Sequence, residues 1–212
     1  MNNNLLPIAK EGWSYIFYTL LVFFVLGFFD LNFLQFFVFL SMIFFMYVFR
    51  NPERELLNFQ DGSVVSPVDG LVSSITEIEG SDDYAYEIEI DSSYFNVSLL
   101  RTPLTSEVTS AYVEKGARLS KFSLLGKSIN ENAQIVFRDN NNNSLRVVHR
   151  LKQSFKNIDL QLVGSQKVNQ SSRYGLMVNG TTTIFLPKNF RLNIGVGQEL
   201  KASQSLIGYF TS

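Results

Sequence analysis

The sequence predicts a mainly β protein in which an N-terminal transmembrane helical hairpin precedes a β-sandwich or barrel-sandwich-like domain. Two long apolar runs, at 13–29 and 31–49, contain most of the chain's Phe and predict the hairpin. After residue 50 the chain changes to short segments rich in β-branched side chains, separated by Gly, Asn, Ser and Pro, which is typical of sandwiches and barrels. We therefore divide the chain into a membrane-anchoring hairpin at 1–50 and a β domain at 51–212.

Each apolar run is long enough to cross a bilayer. As helices, the runs at 13–29 and 31–49 would be roughly 25–28 Å long, close to the hydrocarbon thickness of about 30 Å. Their polar residues are scattered rather than gathered on one face, so a buried helix pair in a soluble core is a poorer explanation. Asp30 and Asn32 favour a turn between the runs. A re-entrant hairpin in one leaflet remains the alternative.

Basic residues flank the predicted hairpin on what would be one side of the membrane. Lys10 precedes the first run, and Arg50 and Arg54 follow the second. The positive-inside rule therefore predicts a protein of the inner (cytoplasmic) membrane whose β domain faces the cytoplasm. Arg50 and Arg54 are also candidate ligands of lipid phosphates, each contributing roughly 1 kcal/mol near an anionic surface. A cleaved signal peptide is disfavoured because the start is not basic and no small-residue cleavage site follows.

Composition excludes several classes of function. The formal net charge is −1 and the pI is about 5.9, so no basic field indicates nucleic acid as a partner. Cysteine is absent and His149 is the single histidine, which excludes disulfides, thiolate nucleophiles and metal sites built from Cys or several His. His149 is interpreted as a packed or surface strand residue rather than a base, and Lys115, Lys121 and Lys127 are interpreted as a solvated face.

The β domain is predicted to consist of short strands joined by turns, with no helix longer than two turns. A polar run at 139–143 is interpreted as a turn between two of these strands. The predicted strands are 64–65, 71–78, 84–90, 95–100, 107–113, 133–137, 145–151, 158–163, 174–178, 182–186, 192–194 and 205–210.

Several stretches, taken in order along the chain, carry a resemblance to a known family. They are I-A-K-E-G-W at 8–13, F-R-N-P-E-R at 49–54, V-S-P-V-D-G at 65–70, F-N-V-S-L-L-R-T-P at 95–103, N-E-N at 130–132, and R-Y-G-L-M at 173–177 with L-P at 186–187. Behind an apolar hairpin, this series resembles the short-form phosphatidylserine decarboxylase family. The resemblance implies a membrane carboxy-lyase of phospholipid metabolism that yields phosphatidylethanolamine.

The resemblance also implies a mechanism of maturation and catalysis. Family members are made as one chain that cuts itself at a Gly-Ser bond, and the serine becomes an N-terminal pyruvoyl group. That ketone forms a Schiff base with the substrate amine and withdraws electrons from the breaking carbon–carboxylate bond. Self-cleavage uses an Asp–His–Ser arrangement, in which an oriented imidazole activates a hydroxyl.

The positions that this mechanism requires are only partly kept. Asp69 is present in its motif, but Ser98 stands at the position of the family's His. Counting back from 186–187 places Asn179-Gly180 at the Gly-Ser bond, whereas counting forward from 173 places Gly180-Thr181 there. Neither count supplies a serine, and elimination from Thr181 would leave a 2-oxobutyryl group, so no pyruvoyl cofactor is expected.

The sequence therefore predicts a zymogen-like pseudoenzyme. Its expected ligand is a membrane phospholipid, with phosphatidylserine as the candidate, and its expected partner is a second copy of the chain or an active decarboxylase. Asp69 is then interpreted as a turn residue whose carboxylate accepts backbone N–H groups. One alternative is an active decarboxylase processed at Thr181 or at Ser165 of Gly164-Ser165. The other is a structural adaptor without a ligand.

Overall fold

The computed structural model describes residues 6–55, 57, 59–60, 62–78, 84–120 and 122–211. The chain divides into two compact units, Asn2–Glu53 and Arg54–Ser212, here called the helical unit and the β unit. The boundary lies a few residues beyond the one expected from the sequence.

The helical unit is an antiparallel pair of apolar helices. Helix α1 (Trp13–Phe28) and helix α2 (Asn32–Val48) are joined by a turn in which Asp30 has a φ of 56°. Asp is one of the few residues that tolerate this left-handed conformation, so its place between the runs has a backbone reason. The Tyr15 ring contacts the Phe45 ring at 5.3 Å between centroids, across the pair. The predicted helix pair is confirmed.

One helical stretch of the described residues is long and apolar enough to cross a membrane. It spans Lys10–Phe28, has 19 residues and a mean hydropathy of 1.5. Helix α2 is apolar but shorter. In both helices the backbone groups bond within the segment, which is what a hydrocarbon environment requires.

The β unit consists of antiparallel strands and one single-turn helix among its described residues. The strands are β1 (Ser63–Val65), β2 (Gly70–Glu77), β3 (Tyr86–Ser92), β4 (Leu99–Arg101), β5 (Ser106–Glu114), β6 (Asn132–Arg138), β7 (Ser144–Leu151), β8 (Asp159–Leu160), β9 (Lys167–Val168), β10 (Arg173–Leu176), β11 (Gly180–Leu186), β12 (Phe190–Leu192), β13 (Glu199–Leu200) and β14 (Leu206–Phe210), and the helix is α3 (Gly126–Ile129).

The strands form one large and two small antiparallel sheets. The large sheet has the order β13-β2-β3-β11-β7-β6-β5-β9, and the small sheets have the orders β1-β14-β12 and β4-β10-β8. Along the central strands every second residue enters the hydrophobic core, as Ile88 and Ile90 do on β3 and Ile184 and Leu186 do on β11. This alternation places neighbouring residues of β11 on opposite faces of the sheet.

Most predicted strands are present, and the exceptions are short or irregular. The predicted strand 95–100 is reduced to β4, because Asn96 Oδ1 accepts the Ser93 N–H at 2.8 Å and closes a turn there. The predicted strand 158–163 shortens to β8, and the one at 192–194 is shifted to β12. Strands β9 and β13 were not predicted, since two residues cannot show a period of two.

Candidate functional site

The candidate site is the strand junction, residues 177–181, where the chain passes from β10 to β11. Asn179 has a φ of 56°, a left-handed conformation that Asn adopts more readily than most residues. Its Nδ2 donates to the Lys152 carbonyl at 2.9 Å, and the Lys152 N–H donates to the Asn179 carbonyl at 3.1 Å. These two bonds hold the junction against the residues that follow β7.

Gly180 is packed too tightly to carry a side chain. A Cβ on Gly180 would lie 2.4 Å from Met177 Sδ and 2.6 Å from the Arg150 carbonyl oxygen. The methionine could rotate away, but the carbonyl belongs to the neighbouring strand β7 and cannot. This gives residue 180 a steric reason to be glycine, which favours the count that places Gly180-Thr181 at the family's Gly-Ser bond.

Thr181 lies on the face of the large sheet away from the core, opposite Asp91 on β3 and Arg150 on β7. Its side chain borders a cavity of about 30 Å³, room for about one water molecule. The cavity is lined by Glu89, Gly126, Lys127, Asn130, Arg150, Leu151, Lys152 and Thr181.

Two pairs of opposite charge lie around this cavity. Lys152 forms an ion pair with Asp91, and Lys127 Nζ lies 3.7 Å from Glu89 Oε2. The Lys152 side chain is largely buried, whereas that of Lys127 is exposed. These groups were not predicted as site residues, because only the folded arrangement of the strands and α3 brings them close to Thr181.

His149 lies on the opposite, core-facing side of the sheet. It pairs with Thr182 rather than Thr181, and its Nδ1 lies 2.8 Å from Thr182 Oγ1. Its Nε2 lies 2.6 Å from the Tyr174 hydroxyl. Burial lowers the pKa of His149 to about 3 and raises the pKa of Tyr174 above its usual value. His149 is thus packed rather than on the surface, the first of the two placements expected, and the sheet separates it from the Thr181 hydroxyl.

The lowered pKa of His149 predicts a stability that falls on acidification. The unfolded chain takes up a proton near pH 6.5, whereas the folded protein does so only near pH 3. The stabilisation that comes from keeping His149 neutral is therefore present above pH 6.5 and is lost as the pH falls from 6.5 towards 3. The free energy of unfolding should fall by about 2 kcal/mol between pH 7 and pH 5. Denaturant unfolding in detergent should show this loss in the wild type. The control is His149→Gln, which keeps polar atoms but does not titrate. An equal loss of unfolding free energy in this variant would contradict the assignment of the loss to His149.

Asp69 is held in a buried ion pair with Arg54. Arg54 Nη1 donates to Asp69 Oδ1 at 2.6 Å, and Nη2 donates to Oδ2 at 2.5 Å. The Ala202 N–H also donates to Oδ1, at 2.8 Å. The carboxylate thus accepts a backbone N–H group, as a turn residue does. Arg101 and Arg173 add further positive charge in this region. Burial, followed by the charges of Arg173 and Arg54, lowers the pKa of Arg101 to about 10.

The structure brings the family positions 69, 98 and 180 to one region of the β unit. Ser98 is buried, and its carbonyl accepts the Met177 N–H at 2.8 Å, at the start of the junction. Ser92 donates to the Asp69 carbonyl at 2.6 Å, and the same Ser92 pairs with Gly180 across β3 and β11. Ser98 therefore contacts the junction directly, and Asp69 is connected to it through Ser92.

The other predicted site residues lie elsewhere. Arg50 belongs to the helical unit, where its Nη1 donates to the Tyr47 carbonyl at 2.9 Å and its guanidinium lies 4.0 Å from the centre of the Tyr47 ring. Its contact with lipid phosphate stays a prediction. For Arg54, contact with a lipid phosphate also stays a prediction, and it would compete with Asp69, which accepts hydrogen bonds from both Nη groups.

Ser165 is distant from the junction along the large sheet. It lies in an exposed turn before β9, with a φ of 64°, and its N–H donates to the Val108 carbonyl at 2.7 Å. Strands β7, β6 and β5 stand between β9 and β11 in the order of the sheet. Ser165 is therefore a surface-turn residue.

The fold and site define a class of protein, a β-sheet protein with a tightly packed strand junction that follows a pair of apolar helices. The family model for phosphatidylserine decarboxylase matches residues 42–208. The chain belongs to the phosphatidylserine decarboxylase family. This membership supports a role in phospholipid metabolism and, together with the apolar N-terminal helix, membrane association.

Similar proteins are phosphatidylserine decarboxylase proenzymes. The one from Desulfotalea psychrophila is 27% identical over 206 residues, covering 95% of this chain and 96% of the relative. The one from Geotalea uraniireducens is 26% identical over 223 residues, covering 98% and 99%. The one from Symbiobacterium thermophilum is 28% identical over 205 residues, covering 95% and 94%. No solved structure matches the chain at a significant level.

Proposed function

We propose that this chain is a pseudoenzyme of the phosphatidylserine decarboxylase family that remains a single, unprocessed chain. The observation that carries the proposal is the strand junction. Residue 180 is a glycine enclosed by Met177 and the Arg150 carbonyl, and residue 181 is a threonine. A pyruvoyl group is made from serine, so the residues at this junction do not fit that cofactor.

Among the residues that the structure describes, no imidazole lies beside Thr181. A serine hydroxyl, as at position 98, does not accept a proton at neutral pH. His149 lies on the other face of the sheet, with Thr182 and Tyr174 within hydrogen-bonding distance of its two ring nitrogens. Asp69, the one retained member of the self-cleavage arrangement, is engaged by Arg54. The threonine at 181 is thus left without an activating imidazole.

In this proposal the protein acts at the cytoplasmic face of the inner membrane without a ketone cofactor. Its role is to bind an aminophospholipid, with phosphatidylserine as the candidate, or to accompany an active decarboxylase as a non-catalytic subunit. Reconstituted protein should then prefer vesicles that contain phosphatidylserine, or co-purify with a decarboxylase. Absence of any headgroup preference counts against the first role, and failure to co-purify counts against the second.

Intact mass spectrometry of the purified full chain tests the proposal directly. We expect a single species near 24.1 kDa, with the same gel pattern for the wild type, Thr181→Ala and Ser165→Ala. The Desulfotalea psychrophila proenzyme, expressed in parallel, is the positive control for self-cleavage.

Two fragments in the wild type would overturn the proposal. If one begins at residue 181 and lacks one ammonia relative to an N-terminal threonine, the chain has made a 2-oxobutyryl group, and Thr181→Ala should abolish the cleavage. If one begins at residue 165, Ser165→Ala should abolish it instead.

A further inference from the structure

The loop between β5 and α3 ends in an exposed apolar segment, residues 122–125, here called the apolar tip. Leu124 is 98% exposed, Phe122 is 86% exposed and Leu125 is 60% exposed. A single exposed leucine is ordinary, but three large apolar side chains within four residues form an apolar surface of the kind that marks an interaction site. These three side chains are exposed to solvent, whereas the β unit buries its hydrophobic core elsewhere.

Basic residues flank the apolar tip in the sequence. Between 114 and 130 the sequence has four basic residues, at 115, 118, 121 and 127, and a single acidic residue, Glu114, in a chain whose net charge is −1. Lys115 is exposed, and the Lys127 side chain is 77% exposed. Lys121 lies outside the described residues. Arg118 pairs with Glu131 and Lys127 lies 3.7 Å from Glu89 Oε2, so the positive charge beside the apolar tip is presented to solvent by Lys115 and by the largely exposed Lys127.

The apolar tip is continuous with the candidate site. Gly126 and Lys127, which follow it directly, line the small cavity beside Thr181. Asn130, at the end of α3, lines the same cavity, and its Nδ2 donates to the Leu151 carbonyl at 2.9 Å. Whatever covers the apolar tip is thereby brought to the edge of the strand junction.

We propose that the apolar tip inserts into the interface of an anionic phospholipid bilayer, with the neighbouring lysines close to the lipid headgroups. Apolar side chains beside basic ones are the combination that binds anionic membrane surfaces. The chain carries an apolar helix long enough to cross a membrane, so a bilayer is present at high effective concentration, which favours lipid over a soluble protein as the occupant. The insertion holds whether or not the chain cleaves itself.

A tryptophan reporter in the full chain tests the insertion. Trp13 is the single tryptophan, so Trp13→Phe gives a silent background into which Leu124→Trp is introduced. Val163→Trp and Val196→Trp are matched controls, because both valines are exposed apolar residues in other loops of the β unit. Each protein is reconstituted into phosphatidylcholine vesicles with or without phosphatidylglycerol, containing lipids brominated at defined depths.

We expect the reporter at 124 to emit at shorter wavelength and to be quenched by shallow brominated lipids in anionic vesicles, while both control sites remain water-like. Quenching should decrease in high salt, because salt screens the lysines. A tryptophan at 124 that is no more quenched than the controls would overturn the proposal. So would a blue shift without lipid quenching, which would assign the apolar tip to a protein partner or a second copy of the chain. Equal quenching in neutral vesicles would overturn the part assigned to the basic residues.

Discussion

Replacing Arg54 by methionine is expected to lower the free energy of unfolding of the β unit by about 3–5 kcal/mol, because it leaves a buried carboxylate without its partner. The Arg54 and Asp69 side chains are 8% and 11% exposed. In Arg54→Met the carboxylate keeps the Ala202 N–H but loses both guanidinium bonds. Denaturant unfolding of the full chain in detergent, followed by circular dichroism of the β signal, measures the loss.

The control for this substitution is Arg138→Met. Arg138 is exposed at the end of β6, so its replacement should change stability by about 0.5 kcal/mol or less. The double variant Arg54→Met with Asp69→Asn should be less destabilised than the sum of the single variants, since the two charges interact directly. A loss in Arg54→Met no larger than in Arg138→Met would contradict a structural ion pair and return Asp69 to consideration as a free catalytic carboxylate.

The helix pair and the mainly β fold class could be predicted because both follow from patterns within short stretches of sequence. Uninterrupted apolar runs identify α1 and α2, and Asp30 lies at the only charged break between them. The turn at 139–143 is likewise local, since Asp139 Oδ1 accepts the Asn141 and Asn143 N–H groups, both at 2.8 Å. These features need no knowledge of the rest of the chain.

The site was less predictable because its geometry depends on contacts between distant segments. The sequence left two ways to count to the Gly-Ser position, and the feature that favours one of them is the Arg150 carbonyl beside Gly180. The pairing of Arg54 with Asp69 joins the linker after the hairpin to a turn in the β unit. Lys127 and Lys152 border the same cavity as Thr181 only because the fold brings α3 and the end of β7 beside β11. Residue types could thus be identified from the sequence, but their partners could not.

Introducing serine at position 180 is expected to destabilise the fold, whereas introducing it at position 181 is not. In Gly180→Ser the new Cβ collides with Met177 and with the Arg150 carbonyl, and overpacking of this kind costs about 1–3 kcal/mol. Thr181→Ser removes one methyl group and should cost about 1 kcal/mol or less. Gly195→Ser is the control for Gly180→Ser, because a Cβ on Gly195 meets nothing within 4 Å. Denaturant unfolding separates the variants.

The same variants test the proposal that the chain does not cleave itself. Both Gly180→Ser and Thr181→Ser should remain single chains by mass spectrometry, because neither restores an imidazole on the Thr181 face of the sheet. A Gly180→Ser protein as stable as Thr181→Ser would show that position 180 can hold a side chain, and the steric argument for its glycine would fail. Self-cleavage of Thr181→Ser would show instead that the junction retains a working base, so that the threonine alone keeps the wild-type chain uncut.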